Sequence, residues 1–400
     1  MSSNSAWTGG AFIGLAGLLV YGFGTNNPNG LRWACVLGLV AIMGAAWIWN
    51  GARILFTPLT CAVLAFVAYV ALSLVWSADW REGVMTLQAT GLLGLLLIGA
   101  SFLDRDRLAR NVSLIACAAS ILSLWIALTR PEVHGGLGNE NFQAEFLVLL
   151  VPLCLIGFFA FEGVIGWVCA GCASLAVLQA LLLTPSDAKW AGVAGLLLFA
   201  LKLGWKWCLG LSLAGFSAVY LLLDHVTRMQ ASVMHRAELV VGTFMMWWDR
   251  PFFGAGAGSF NYLYPMYQDA HARLFPGRAL YNLTLYAGSA HNEFLQALAI
   301  FGVAGCFLGG FAVFTILRNR ESDPVANLSL VSLAMFGGLS LVGFPLQNPS
   351  TAILGIFALG LVAKPWQSAV AFDCKRFWHI VRKGHPGGTV VRGWPSLGQV

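Results

Sequence analysis

Apolar runs about twenty residues long follow one another along most of this chain, and each has the length an α-helix needs to cross the hydrocarbon core of a bilayer. They fall at roughly 6–24, 31–49, 57–76, 84–103, 111–128, 142–161, 164–183, 189–203, 206–223, 291–317, 326–344 and 350–366, the eighth being the shortest. The expectation is an all-α integral membrane protein with about 12 transmembrane helices. Composition agrees: 10% of the 400 residues are charged, against about 25% in soluble domains, and mean hydropathy is +0.75. Among 46 glycines and 16 tryptophans, the glycines permit close helix contact and the tryptophans suit the membrane interface. No nucleic-acid partner is expected; membrane lipid is.

Eight of the nine cysteines lie in apolar runs, and Cys169-x-x-Cys172 has metal-ligand spacing but no second pair. Packing is the reading for them, since a buried thiol behaves as a small hydrophobe. The first residues lack a basic n-region and a small-residue cleavage pattern, so Ala6–Gly24 reads as a retained span.

Lys and Arg set the orientation. With the N-terminus inside, the inner connections hold Arg53, Arg105, Arg107, Arg110, Lys202, Lys206, Arg318 and Arg320, and the short outer ones hold Arg32, Arg81, Arg130 and Lys189. The tail adds further basic residues to the inner side. The positive-inside rule then puts both termini in the cytoplasm. The layout is transmembrane helices 1–9 in residues 1–223, one large periplasmic loop with short helices in 224–290, helices 10–12 in 291–366, and a basic tail in 367–400.

The loop holds most of the chemistry-bearing side chains. Met234-His235-Arg236-Ala237-Glu238 leads into Leu239–Trp248, of helical length and ending in two tryptophans, as an interfacial helix would. Asp249-Arg250-Pro251 opens Gly254-x-Gly256-x-Gly258-x-Phe260, which resembles phosphate-cradling loops in spacing. It lacks the strand-then-helix setting of a dinucleotide site, although a tight turn presenting N–H groups to an anion remains open. Five tyrosines, Tyr264 among them, suit either a sugar chain or an interface belt. Ser289 reads as an N-cap with the helix running from Ala290, which puts His291 in the first turn. There the helix dipole disfavours imidazolium and leaves a ring able to accept a proton.

Two outer connections add to this. Gly135–Asn141 supplies Asn139, Glu140 and Asn141 and feeds a span carrying Gln143 and Glu145. An ionisable group at that depth is costly and is a functional candidate by default. Thr184-Pro185-Ser186-Asp187-Ala188-Lys189-Trp190 is a short turn with paired opposite charges.

Three stretches in order resemble the bacterial O-antigen ligase and O-antigen polymerase family. They are Gly138-Asn139-Glu140-Asn141-Phe142-Gln143-Ala144, the Arg236 to Phe260 segment, and His291-Asn292 followed after nine residues by Gly302-Val303-Ala304-Gly305. The last is similar to the ligase motif His-(Asn/Ser/Gln)-x9-Gly-x-x-(Gly/Thr/Asn). One departure is Ser186-Asp187-Ala188-Lys189-Trp190, where family members often carry Arg; an ammonium does not replace a bidentate guanidinium.

The resemblance implies an inner-membrane glycosyltransferase. It would move a glycan from undecaprenyl pyrophosphate to a lipid A core or similar acceptor hydroxyl at the periplasmic face, without metal or other cofactor. His291 would be the base and Arg236 would stabilise the pyrophosphate. Arg250, Lys189, Asn139, Glu140, Asn141, Glu145, Asn292 and Tyr264 are the candidate substrate contacts. A repeat-unit polymerase of the same family is the alternative, and a polysaccharide-lipid transporter or flippase the alternative from another class.

Overall fold

The computed structural model describes residues 32–41, 54–131, 137, 139–184, 186, 189–190, 230–274, 288–364 and 370–372, with backbone alone at 54–56, 230–237, 269–274 and 370–372. The described chain is helical apart from one small ribbon. Its helices are α1 (Arg32–Ala41), α2 (Pro58–Ser73, extended to Trp76 by a tighter turn), α3 (Trp80–Phe102), α4 (Arg105–Thr129), α5 (Glu140–Ala160) and α6 (Val164–Leu182). After them come α7 (Gln230–Asp249), α8 (Phe260–Leu274), α9 (Glu293–Arg318), α10 (Pro324–Val342) and α11 (Pro349–Val362). Among the described residues seven helices, α2–α6, α9 and α10, are long and apolar enough to cross a membrane; α1 and α11 are shorter apolar helices. The expected spans at 6–24, 189–203 and 206–223 lie outside the described residues, apart from Lys189 and Trp190. Strands β1 (Ile54–Phe56) and β2 (Val370–Phe372) pair antiparallel, Leu55 opposite Ala371.

Several helices begin earlier than their apolar runs, because a cap can recruit charged residues into the first turn. Asp104 accepts from the Arg107 amide and starts α4 at Arg105; Asp79 does the same for α3 at Arg81 and Glu82. A side-chain oxygen at this position satisfies donors that the helix itself leaves unpaired.

The main core lies among α1–α6, the second half of α9, α10 and α11, with Leu108, Ile115, Phe146, Leu150 and Phe357 fully enclosed. Cys117, Cys154, Cys169 and Cys172 are buried in it as packing residues. Gly157 leaves room for Cys169, whose Sγ would lie 2.5 Å from a Cβ added there. A second, smaller core holds Leu239, Met246, Ala255, Phe260, Tyr264, Ala290, Ala299 and Ile300, joining α7, the glycine loop, α8 and the first part of α9.

One end of the bundle is basic. Arg105 at the start of α4 forms a two-pronged ion pair with Asp323, which precedes α10, and its Nε donates to Leu361 O at the end of α11, 2.8 Å. Arg110 Nε donates to Ala160 O at the end of α5, and the Lys364 amide to Asn319 O. Asp323 also caps α10 through the Ala326 amide at 2.7 Å. The Arg105 hydrogen bonds hold its carboxyl below the usual carboxylate range, outweighing desolvation.

Replacing Asp323 with Ala removes cap and pair together. Because the side chain is partly exposed, we expect a loss of only about 1–2 kcal/mol. A lowered folded-state pKa means that this stabilisation is present above the unfolded carboxylate value of about 4 and fades as pH falls through the folded value. Thermal unfolding in detergent should show the gap between wild type and variant closing on acidification; a gap that widens refutes the pairing.

Candidate functional site

At the end of the bundle opposite Arg105, three elements meet: the residues leading into α9, the start of α5 and the turn between α10 and α11. The His291 ring packs edge-on against Phe344, centroids 4.8 Å apart, and Phe142 packs edge-on against the same Phe344 at 5.2 Å. Asn292 Nδ2 donates to Leu341 O at 3.1 Å, and Glu293 Oε1 accepts from the Leu346 amide at 2.8 Å. Glu145, buried on α5, lies so close to Gly343 that a Cβ added there would come within 2.4 Å of its Oε1. His291, Asn292, Glu145 and the first turn of α5 are thus brought together around Gly343-Phe344.

Local sequence explains these placements. Asn139 caps α5 by accepting from the Asn141 amide at 2.8 Å, while Ser186 Oγ donates to Asn141 Oδ1. The chain after α6 is thereby tied to the α5 N-terminus. Glu140 occupies the first turn of α5, where a carboxylate complements the helix dipole.

The start of α9 differs from the sequence expectation. Asn292, not Ser289, is the N-cap and accepts from the Leu295 amide at 2.9 Å, so the helix begins at Glu293. The Ala290 amide is taken by Gln296 Oε1 at 2.8 Å. His291 therefore stands outside the helix, with a left-handed φ of 50°, the only positive φ at a non-glycine among the described residues. That conformation is uncommon at non-glycine residues, though His, like Asn and Asp, adopts it more readily than most, and it marks a constrained turn. The first-turn dipole argument does not apply in its simple form, because the field falls off within that turn.

Lys189 is engaged by backbone. Its Nζ donates to Ala180 O at 2.9 Å and Thr184 O at 2.8 Å, closing the C-terminal end of α6, and it lies over the Trp190 ring. Its charge thereby serves carbonyls that a helix end leaves unpaired. Tyr264 is enclosed in the second core, stacked on Phe260 with centroids 5.1 Å apart and facing Gly242. It faces no open surface. Arg250 is exposed just after α7, beside Asp249, which accepts from Tyr267 Oη at 2.8 Å. Burial and that hydrogen bond push the Tyr267 phenol up to about 12. Arg236 lies on α7, and its side chain is outside the described set.

Five amides of the glycine loop are taken within the protein and are not offered to an anion. Ala255 N donates to Ala299 O, Gly256 N to Ile300 O, Gly254 N to Arg250 O and Ser259 N to Gly256 O. Ala257 N donates to Ser73 Oγ. The nest-like spacing is consumed by docking onto α9 and onto the turn between α2 and α3.

Four residues, two at the site and two outside it, escaped sequence reasoning. Phe344 sits in a Gly-Phe-Pro turn between two apolar runs, a pattern that marks the turn without marking its role. Glu293 fixes that turn. Tyr69 Oη, within a span, lies 2.7 Å from Phe301 O and 3.0 Å from Phe253 O. Glu238 on α7 is half-buried, and burial pushes its carboxyl up to about 7, where it can exchange protons near neutrality. Its only sequence signal was an acidic residue at the head of an apolar run.

No protein-family model matches this chain, and no curated protein matches it.

Proposed function

We propose that this chain is an O-antigen ligase-like membrane glycosyltransferase, with about 12 spans in the inner membrane, both termini in the cytoplasm and its site at the periplasmic face. The observation that carries the reading is the convergence of His291, Asn292 and Glu145 on Gly343-Phe344 at the end of the bundle away from the Arg105 cluster. Basic residues collect on the cytoplasmic side of membrane proteins, so the Arg105, Arg110 and Lys364 end would face inward and His291 outward.

In this reading the acceptor hydroxyl attacks the anomeric carbon of a glycan carried on undecaprenyl pyrophosphate. The new glycosidic C–O bond forms as the bond to the pyrophosphate oxygen breaks. His291 takes the hydroxyl proton, and guanidinium groups from the loop, Arg250 and Arg236, meet the charge growing on the diphosphate. The diphosphate leaves with the electron pair of the broken bond. Asn139, Glu140, Asn141, Glu145 and Asn292 would border the acceptor path in this reading. Lys189 and Tyr264, bonded and buried as they are, contribute structure.

A transporter is the rival reading, and broken helices such as α9 occur in transporters, where freed carbonyls coordinate ions. Here the freed groups at the break of α9 are bonded to the loop and to Tyr69, which favours the enzyme.

Reconstitution with a lipid-linked donor and two acceptors, a lipid A core and a second lipid-linked repeat, is the test. The ligase reading expects the core to be extended. Extension of the repeat alone makes the protein a polymerase, and extension of neither ends the glycosyltransferase reading.

A further inference from the structure

Helix α9 is two helices sharing one name. At Gly302 the backbone leaves helical geometry, φ 63° and ψ −173°. In an unbroken helix, the Val303 amide would donate to Ala299 O and the Ala304 amide to Ile300 O. At the break these four groups have partners in the loop. Ala299 O accepts from Ala255 N and Ile300 O from Gly256 N, both at 2.9 Å, while Val303 N donates to Pro251 O and Ala304 N to Phe252 O, at 2.9 and 3.0 Å. The Pro251–Gly256 segment is inserted into the hydrogen-bond ladder of α9, donating to Ala299 O and Ile300 O and accepting from the Val303 and Ala304 amides. Tyr69 Oη bridges the join, reaching both Phe301 O and Phe253 O.

Glycine at 254 and at 302 is what lets the two backbones meet. A Cβ on Gly302 would lie 2.4 Å from Phe252 O, and one on Gly254 would lie 2.3 Å from Ile300 O; both residues have positive φ. The break also divides loyalties. Ala299 and Ile300 belong to the small core with Leu239, Ala255, Tyr264 and Ala290, whereas Ala312 and Ile316 belong to the main core.

Resting on the glycosyltransferase reading, we propose that Gly254 and Gly302 are positioning residues for His291. The Glu293–Phe301 arm of α9 is bonded to the loop rather than to the lower half of its own helix, and Ala290 is packed in the loop unit's core. His291 and the loop residue Arg250 therefore ride on one hydrogen-bonded body, and that body sets how the imidazole meets Phe344. A loop shift moves the base and the cation together against the α5 and α10–α11 wall.

The test compares the full-length protein with Gly302→Ala, which forces the loop off the break, and with Tyr69→Phe, which removes only the bridging hydroxyl and leaves all backbone bonds possible. Three readouts are taken on folded protein. Amide exchange over 251–256 and 299–304 should quicken about tenfold or more in Gly302→Ala and less in Tyr69→Phe. Carbethoxylation of His291, followed by mass spectrometry, should change severalfold in rate in step with exchange. In transfer assays kcat should fall about ten- to hundredfold with donor KM unchanged, as expected for a displaced reacting group whose donor still binds.

Unchanged exchange in both variants, or opened amides with unchanged His291 labelling, overturns the proposal. Opened amides and altered labelling with kcat intact overturn it too. Absence of transfer in wild type, with exchange and labelling coupled as described, instead sinks the glycosyltransferase reading and leaves the loop-to-His291 coupling standing.

Discussion

His291→Ala should abolish glycan transfer, by about 10²–10⁴-fold if the imidazole is the general base, while the lipid-linked donor accumulates at the outer leaflet. The packing cost is modest: the contact with Phe344 is an edge-on ring pair, worth about 0.5–1.5 kcal/mol beyond burial. Its backbone supplies a sharper comparison. At φ 50° the position favours Asn or Gly over Ala. If His291 mattered only for that turn, His291→Asn and His291→Gly would keep activity and His291→Ala would lose it. A catalytic imidazole makes all three equally inactive, with His291→Gly, which relieves the left-handed backbone, more stable than His291→Ala. Retention of more than about a tenth of wild-type kcat by His291→Asn therefore removes the residue from the chemistry. A donor held in the inner leaflet of the Ala variant would move the whole protein to the transporter class.

Hydropathy located the helices because a bilayer demands length and apolarity from each segment separately, and the runs at 57–76, 142–161, 164–183 and 326–344 correspond within a few residues to α2, α5, α6 and α10. Caps shifted some boundaries. Arg105–Arg110 is charged and reads as a connection, yet Asp104 draws it into α4. At the head of α9 two capping residues, Ser289 and Asn292, lie three apart, and local rules do not rank them; the Asn292 and Gln296 side-chain bonds decide. The break at Gly302 was the least legible feature. A glycine in an apolar run reads as a close-packing position, and its partner Gly254 lies far back in the chain. Spacing marked the Gly254-x-Gly256-x-Gly258 run as unusual, but it left open an anion where the partner is backbone. Lys189 is ambiguous for a related reason: a cation beside a candidate site is equally what a helix end needs.

The most damaging stability change expected is Gly258→Val. Gly258 has φ 76°, and a Cβ there would lie 2.1 Å from Gly83 N and 2.4 Å from Glu82 C. Those atoms belong to the first turns of α3, which Asp79 caps, so the obstacle is helix backbone and cannot rotate aside as a side chain would. A β-branched residue at positive φ is a further outlier. The neighbourhood is tightly bonded as well. Ser77 Oγ donates to Ala257 O at 2.6 Å, the Ala78 amide donates to Ser259 Oγ at 2.9 Å, and Ser259 Oγ donates to Ala255 O at 2.8 Å. Forcing the loop outward breaks these bonds and, through Ala255, the join with α9. The strained conformation, the clash and the lost hydrogen bonds together should cost about 4 kcal/mol or more. Gly91, on the same helix, has no heavy atom within 4 Å of its added Cβ, so Gly91→Ala should be neutral or stabilising by up to about 1 kcal/mol. Thermal unfolding of both variants in one detergent gives the comparison. If Gly258→Val melts with wild type while amide exchange at Ala255 and Gly256 stays slow, the loop does not sit against α3 as described, and the tether between α3, the loop and the His291 arm is lost with it.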